Sequence, residues 1–262
     1  MTHQPVRVTV ESAVATIVLD RPQQLNAMDA ALMAGLRDAA ESAARDASVR
    51  AVVLRGEGPA FCAGGDVPLF KERLADLPRL IVIWGRELHF ALLALRRMDK
   101  PVLAVVHGAV AGAGFSLMCA ADLVLAAADT RFTLAYANIG ASPDGGSTWF
   151  LPRLVGTRKA MELALLPDRF DAATAHTLGL VNWVVPAEKL AEEAARIAAR
   201  LAQGPTRAYA ETKRLLNRSF ANGIETQMEE ELEAFARCAR TSDLAEGLAA
   251  FVEKRKPVFR GT

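Results

Sequence analysis

Two glycine-alanine turns constrain this chain more than any other feature. Phe61-Cys62-Ala63-Gly64-Gly65-Asp66 follows the apolar run Ala51-Val52-Val53-Leu54, and His107-Gly108-Ala109-Val110-Ala111-Gly112-Ala113-Gly114 follows Val102-Leu103-Ala104-Val105-Val106. Short apolar runs rich in β-branched residues read as buried strands, so each turn reads as the exit from a strand. The second turn runs on into a helix expected at 115–121. Backbone without bulky side chains lets N–H groups approach a bound oxygen, and two such turns can aim two N–H groups at one oxygen. A helix N-terminus behind the second turn adds partial positive charge. Glycine turns also simply close tight connections, and either turn alone would be read that way. The pair together predicts an oxyanion hole built from backbone.

The rest of the chain supplies a frame for that hole. Residues 6–10 and 13–19 read as strands joined near Glu11-Ser12, and Asp29 caps an alanine-rich helix reaching about residue 45. A strand at 51–54, a helix at 79–95, a strand at 102–106, a helix at 115–121 and a strand at 123–126 follow in alternation. That pattern builds a parallel sheet and sets the fold class as α/β. From about Pro186 only helices are expected, at 188–202, 206–218, 225–240 and 243–254. The chain therefore divides into a core at 1–186 and a helical C-terminal region at 187–262, with no internal repeat and no low-complexity linker.

Composition limits the functions open to such a frame. With 262 residues, 52% of them hydrophobic, the chain can bury one large core or a core with a helical appendix. A net charge of +1, with both signs interspersed, leaves no footprint for nucleic acid or an anionic membrane. Neither an N-terminal signal segment nor an apolar run of about 18 residues is present, so a cytoplasmic location is expected. Cys62, Cys119 and Cys238 are odd in number and lack metal-binding spacing, which fits reduced thiols and no metal. Cys62 reads as a small packed residue. His3, His107 and His176 read as incidental.

Several further segments keep a fixed order with the two turns: Asp20-Arg21-Pro22 through Leu25-Asn26-Ala27-Met28, Lys100-Pro101 to Asp122, Ile139-Gly140 to Leu154-Val155-Gly156, Gly179-Leu180-Val181, and Lys254-Arg255-Lys256-Pro257-Val258-Phe259. Together they resemble the crotonase superfamily of enoyl-CoA hydratases and isomerases along nearly the whole chain. The resemblance implies a spiral of ββα repeats whose C-terminal helices pack on the core and on neighbouring subunits of a homotrimer or dimer of trimers. It also implies an acyl-CoA substrate whose carbonyl is held by two N–H groups, at positions matching Ala63 and Ala113. Ala63, Gly64, Gly65, Asp66 and Val67 match a stretch that binds adenine through its backbone, and Gln23, Gln24 and Leu25 match a wall beside the pantetheine. Gly112 stands next to the second donor. Lys254 and Lys256 match a phosphate contact, although a solvated basic tail reads equally well. CoA enters as part of the substrate, and no separate cofactor is implied. Gly112-Ala113-Gly114 is followed by Leu117 where a dinucleotide fingerprint needs glycine, so that reading fails.

Hydratases of this superfamily use two glutamates, and the matching positions here hold Ser116 and Tyr136. Neither carries a carboxylate, so concerted addition of water by a glutamate pair is unavailable. Asp144, in Ile139-Gly140-Ala141-Ser142-Pro143-Asp144-Gly145-Gly146, matches a carboxylate shared with dienoyl-CoA isomerases, isomerases of ring-opened epoxides and a dehalogenase branch. It could instead cap a helix at 147–154. His89 matches a water-activating histidine of the dehalogenase branch, and Tyr136 stands where that branch carries an aromatic residue. The leading expectation is double-bond isomerisation of an unsaturated acyl-CoA, with Asp144 moving the proton. The alternatives are hydration, hydrolysis or dehalogenation through Asp144 and His89, and acyl-CoA binding without turnover. Leu69, Phe70, Ile83, Trp84, Leu88 and Trp149 suggest an apolar acyl pocket.

Overall fold

A computed structural model describes residues 4–262, which leaves His3 outside it. The chain opens with a hairpin, β1 (Val6–Glu11) and β2 (Val14–Leu19). Next come α1 (Ala30–Arg45), β3 (Ala51–Gly56), α2 (Val67–Glu72), α3 (Leu77–Arg97) and β4 (Val102–Val106). The second glycine turn forms β5 (Ala109–Ala111) and α4 (Gly112–Cys119), followed by β6 (Leu123–Ala127) and β7 (Arg131–Thr133). The remaining elements are α5 (Ser147–Val155), α6 (Thr157–Leu165), β8 (Phe170–Asp171), α7 (Ala172–Thr177), β9 (Trp183–Val185), α8 (Leu190–Ala202), α9 (Thr206–Arg218), α10 (Ile224–Cys238) and α11 (Ser242–Val252).

Six strands form one sheet in the order β1-β2-β3-β4-β6-β9, antiparallel only at the β1–β2 hairpin. Three short strands form a second sheet, β5-β7-β8. Central strands β3 and β4 read as unbroken apolar runs because both faces of the large sheet are covered. Val52, Leu54, Val102, Ala104 and Val106 face the core shared with α1 and α3, which contribute Leu32, Leu36, Leu88 and Leu92. Their alternates Val53, Leu103 and Val105 face Ala194, Ile197 and Ala198 of α8. The α/β class and parallel sheet expected from the alternation are both present.

The short pairings were not expected. A strand of two or three residues carries too few side chains to show a period, so β5, β7 and β8 are fixed only by their partners. Helix α4 also begins three residues earlier than the apolar pattern suggests, inside the glycine turn itself. The C-terminal helices are tied back to the core by buried polar side chains. Lys213 donates to Leu95 O (2.8 Å) and Lys100 O (3.0 Å), and Arg50 donates to Gly204 O (2.6 Å) and Phe259 O (3.0 Å).

Gly114 decides how closely the two turns meet. A Cβ at this position would lie 2.4 Å from Cys62 O and 2.6 Å from Cys62 Cβ. Alanine in a helix is ordinarily better than glycine by about 1 kcal/mol, yet Gly114→Ala is expected to destabilise the fold by about 1–3 kcal/mol through overpacking. Thermal or denaturant unfolding of the variant measures the sign directly.

Candidate active site

The two glycine turns are zipped together by backbone hydrogen bonds. Phe61 N–H donates to His107 O (2.9 Å), Cys62 N–H to Ala109 O (3.1 Å) and Ala111 N–H to Cys62 O (3.0 Å). Cys62 lies opposite Val110 in a parallel bridge. Three residues further along both chains, Gly65 draws level with Ala113. The approach is close: a Cβ on Gly64, whose φ is +103°, would stand 3.1 Å from Ala111 O and 3.5 Å from Gly112 Cα.

This register corrects the expected donor pair. Ala63 N–H donates to Leu25 O at 3.0 Å, so it is not free to bind a ligand oxygen. The bonds flanking Gly65 are also made, with Met28 N–H donating to Gly64 O (2.7 Å) and Asp66 N–H to Met28 O (3.1 Å). The Gly65 N–H between them has no acceptor among the described residues. Ala113 is the second residue of α4, where an N–H has no partner within the helix and carries part of the positive end of the helix dipole. The free pair is therefore Gly65 and Ala113.

The loop at Gln24-Leu25-Asn26 braces the first turn. Asn26 is fully buried at left-handed φ (57°), and its amide donates to Glu57 O (2.9 Å) and Ala60 O (2.8 Å). Gln24 and Leu25 are exposed beside Ala63, and Val67 is exposed at the start of α2. Asp66 has structural work as well: its carboxylate accepts from Leu69 N–H (3.2 Å) and pairs with Arg21 (3.1 Å). Burial pushes the Cys62 thiol up to about 12, which fits a packed residue and not a nucleophile.

Ser116, Tyr136 and Asp144 converge beyond the α4 end of the hole. Tyr136 Oη donates to Asp144 Oδ1 at 2.5 Å, a length typical of a charge-assisted bond, and lies 3.1 Å from Ser116 Oγ. Ser116 Oγ in turn donates to Asp144 O (3.0 Å). Burial, reinforced by the neighbouring carboxylate, raises the Tyr136 phenol well above its ordinary pKa and keeps it a donor. The capping role weighed for Asp144 is not what the structure shows. Helix α5 has Gly146 as its N-cap with no side-chain cap, and only the Asp144 backbone carbonyl receives Ser147. Gly145, at φ +58°, lets the loop press on Ser116, since a Cβ there would stand 2.8 Å from Ser116 Cβ.

The other candidates make no hydrogen bond to this cluster among the described residues. His89 is exposed on α3 and makes no hydrogen bond to Asp144 among the described residues; it borders a cavity between α3, α5 and α9. Lys254 and Lys256 are exposed at the C-terminal end. Among the described residues no group of three or more His, Cys, Asp or Glu is arranged to hold a metal ion, and no helix is long and apolar enough to cross a membrane.

The chain is similar to known proteins along nearly its whole length. A family model described as enoyl-CoA hydratase/isomerase matches residues 9–262. The 1,2-epoxyphenylacetyl-CoA isomerase of Escherichia coli is 36% identical over 256 residues, covering 96% of this chain and 97% of that protein. A trans-2-decenoyl-acyl-carrier-protein isomerase of Streptococcus mutans is 32% identical over 262 residues, covering 100% of both. The crystal structure of an enoyl-CoA hydratase from Polaromonas sp. JS666 superposes with a TM-score of 0.93 at 36% identity, covering 97% of this chain and 99% of that one. The names divide between isomerase and hydratase, while the fold and the match along the chain are common to all. With its crotonase-type fold and a family match from residue 9 to the last residue, this chain belongs to the enoyl-CoA hydratase/isomerase family.

Proposed function

We propose that the protein shifts a double bond in an unsaturated acyl-CoA, with Asp144 as the single proton carrier. The carrying observation is the carboxylate count. Of the three side chains that converge beside the hole, only Asp144 can hold a negative charge, and its Oδ1 is already engaged by Tyr136. Oδ2 is left to take a proton from a carbon next to the double bond. The electrons move towards the thioester oxygen, and the Gly65 and Ala113 N–H groups stabilise the resulting enolate. Returning the same proton to the other end of the conjugated system leaves the bond displaced and no water added. CoA is the handle of the substrate and not a resident cofactor. Two of the relatives described above carry isomerase names, which supports the same reading.

The site is read as working in an oligomer, a homotrimer or a dimer of trimers. Ile224, Met228, Leu232 and Phe235 form one stripe on α10, each more than half exposed, and such a stripe calls for a covering surface. A second copy of the chain is the proposed cover. Light scattering is expected to give a mass of three or six chains, and Leu232→Glu with Phe235→Glu to give monomers.

Four measurements test the chemistry. Asp144→Asn keeps the size of the side chain and its bond from Tyr136 but loses the base, so turnover of a 3-enoyl-CoA is expected to fall by about two to four powers of ten while binding persists. Unchanged turnover in that variant rules out the proton-carrier role. Ala113→Pro deletes one hole donor at a helix position where proline is tolerated, and is expected to cost about two to three powers of ten in rate in a protein with unchanged circular dichroism. Tyr136→Phe removes the bond that orients Asp144 and is expected to lower kcat about tenfold with little change in KM. Crotonyl-CoA should be hydrated far more slowly than a 3-enoyl-CoA is isomerised; hydration at about 10 per second or faster would overturn the isomerase reading.

A further inference from the structure

Behind the loop that carries Asp144, a cavity of about 730 Å³ opens between α3, α5 and α9. Its size falls within the range of roughly 300–1,000 Å³ usual for small-molecule sites. The walls include Leu92, Trp149 and Phe150, with the two aromatic rings edge to face at 5.0 Å between centroids. Gly145 and Gly146 form the partition towards the proposed active site. Gly145 packs on Ser116, but Ser116, Tyr136 and Asp144 are not among the residues that line the cavity.

One cation withdrawn from solvent in this chamber lacks a hydrogen-bond partner. The Arg96 guanidinium lies 5.9 Å from the Trp149 ring centre and 5.5 Å from that of Phe150, and its Nε is buried with no hydrogen-bond partner. Among the described residues the guanidinium donates no hydrogen bond. Its nearest carboxylate oxygen, Asp122 Oδ1, is 3.9 Å from Nη1. Asp122 Oδ2 already serves Lys213 Nζ (2.7 Å) and Val102 N–H (2.8 Å). Three further cations of the lining are paired, Lys213 with Asp122, Arg214 with Glu211 (2.7 Å) and Arg218 with Glu230 (2.7 Å), while Arg97 is exposed to solvent. A partly buried guanidinium left without acceptors is costly, and an entering anion would recover part of that cost. Desolvation also lowers the Arg96 pKa, consistent with a charge short of counter-charge.

We propose that this cavity is a second ligand site that takes a monocarboxylate with an apolar or aromatic body, its carboxylate meeting Arg96. One under-paired guanidinium beside Asp122 matches a single negative charge better than the dianion of a phosphate. The aromatic walls match a ring or a medium-length chain. The site does not depend on the isomerase reading, because binding can be measured on the whole protein without CoA and without turnover.

The probe pair is 4-phenylbutyrate and its neutral amide, titrated by calorimetry and by tryptophan fluorescence. The acid is expected to saturate with Kd below about 1 mM and the amide to bind at least about tenfold more weakly, as loss of a charge-assisted contact predicts. Arg96→Gln should abolish the preference for the acid. Asp144→Asn should leave it unchanged, which separates this site from the proposed catalytic one. Equal binding of acid and amide by the natural protein, or no saturation by the acid below about 10 mM, would overturn the proposal even if Arg96→Gln fails to fold. Retention of the acid preference in folded Arg96→Gln would overturn it as well.

Discussion

The proposed active site depends on the parallel contact between two glycine turns. The Cys62–Val110 bridge and its three backbone hydrogen bonds fix the register, and the absence of side chains at Gly64, Gly112 and Gly114 lets the two backbones approach. Backbone donors held this way are preorganised, because neither N–H must move or shed another partner to meet an oxygen. The large sheet sets the direction of both turns. β3 and β4 are adjacent and parallel, with Val52 opposite Val102, so their exits emerge side by side. The ligand-facing ends of parallel strands are where α/β folds place their sites. The buried Asn26 amide then locks the first turn against Glu57 and Ala60.

Beside the hole, electrostatics are simple because so little charge is present. Ser116 and Tyr136 bring hydroxyl groups to positions next to Asp144, and the phenol stays protonated because burial and the adjacent carboxylate both oppose its ionisation. A hydroxyl network of this kind fixes the orientation of one carboxylate oxygen without adding a second base. The proposed proton transfer relies on that one oriented carboxylate. The loop that carries Asp144 also lines the Arg96 cavity through Gly145 and Gly146.

The C-terminal helices are joined to the core unequally. Helix α8 buries Ala194, Ile197 and Ala198 against the sheet and behaves as its second covering layer. Helix α9 is held chiefly through Lys213 and Asn217, which donate to carbonyls at the end of α3. Helix α10 leaves its apolar stripe open. Attachment by a few buried polar contacts positions a helix specifically while leaving apolar surface for another molecule to cover.

The sequence by itself determined the α/β class, nearly every long element and the family. β-branched runs and amphipathic periods are local signals: α9 matches its expected span, and α1 ends near the expected residue with Asp29 as its N-cap, accepting from Leu32 N–H. The Ala113 donor, Ser116, Tyr136 and Asp144 were likewise visible as positions. Tertiary structure alone decided which backbone N–H stayed free. Ala63 and Gly65 look alike in a glycine-alanine turn, and only the distant Leu25 carbonyl, which takes the Ala63 proton, singles out Gly65. It also decided that the Asp144 side chain serves Tyr136 and caps no helix, and that β5, β7 and β8 pair at all. Each of these rests on a partner remote in the chain. Local pattern reports what a segment can do, and hydrogen bonds between distant segments select which of those options remains.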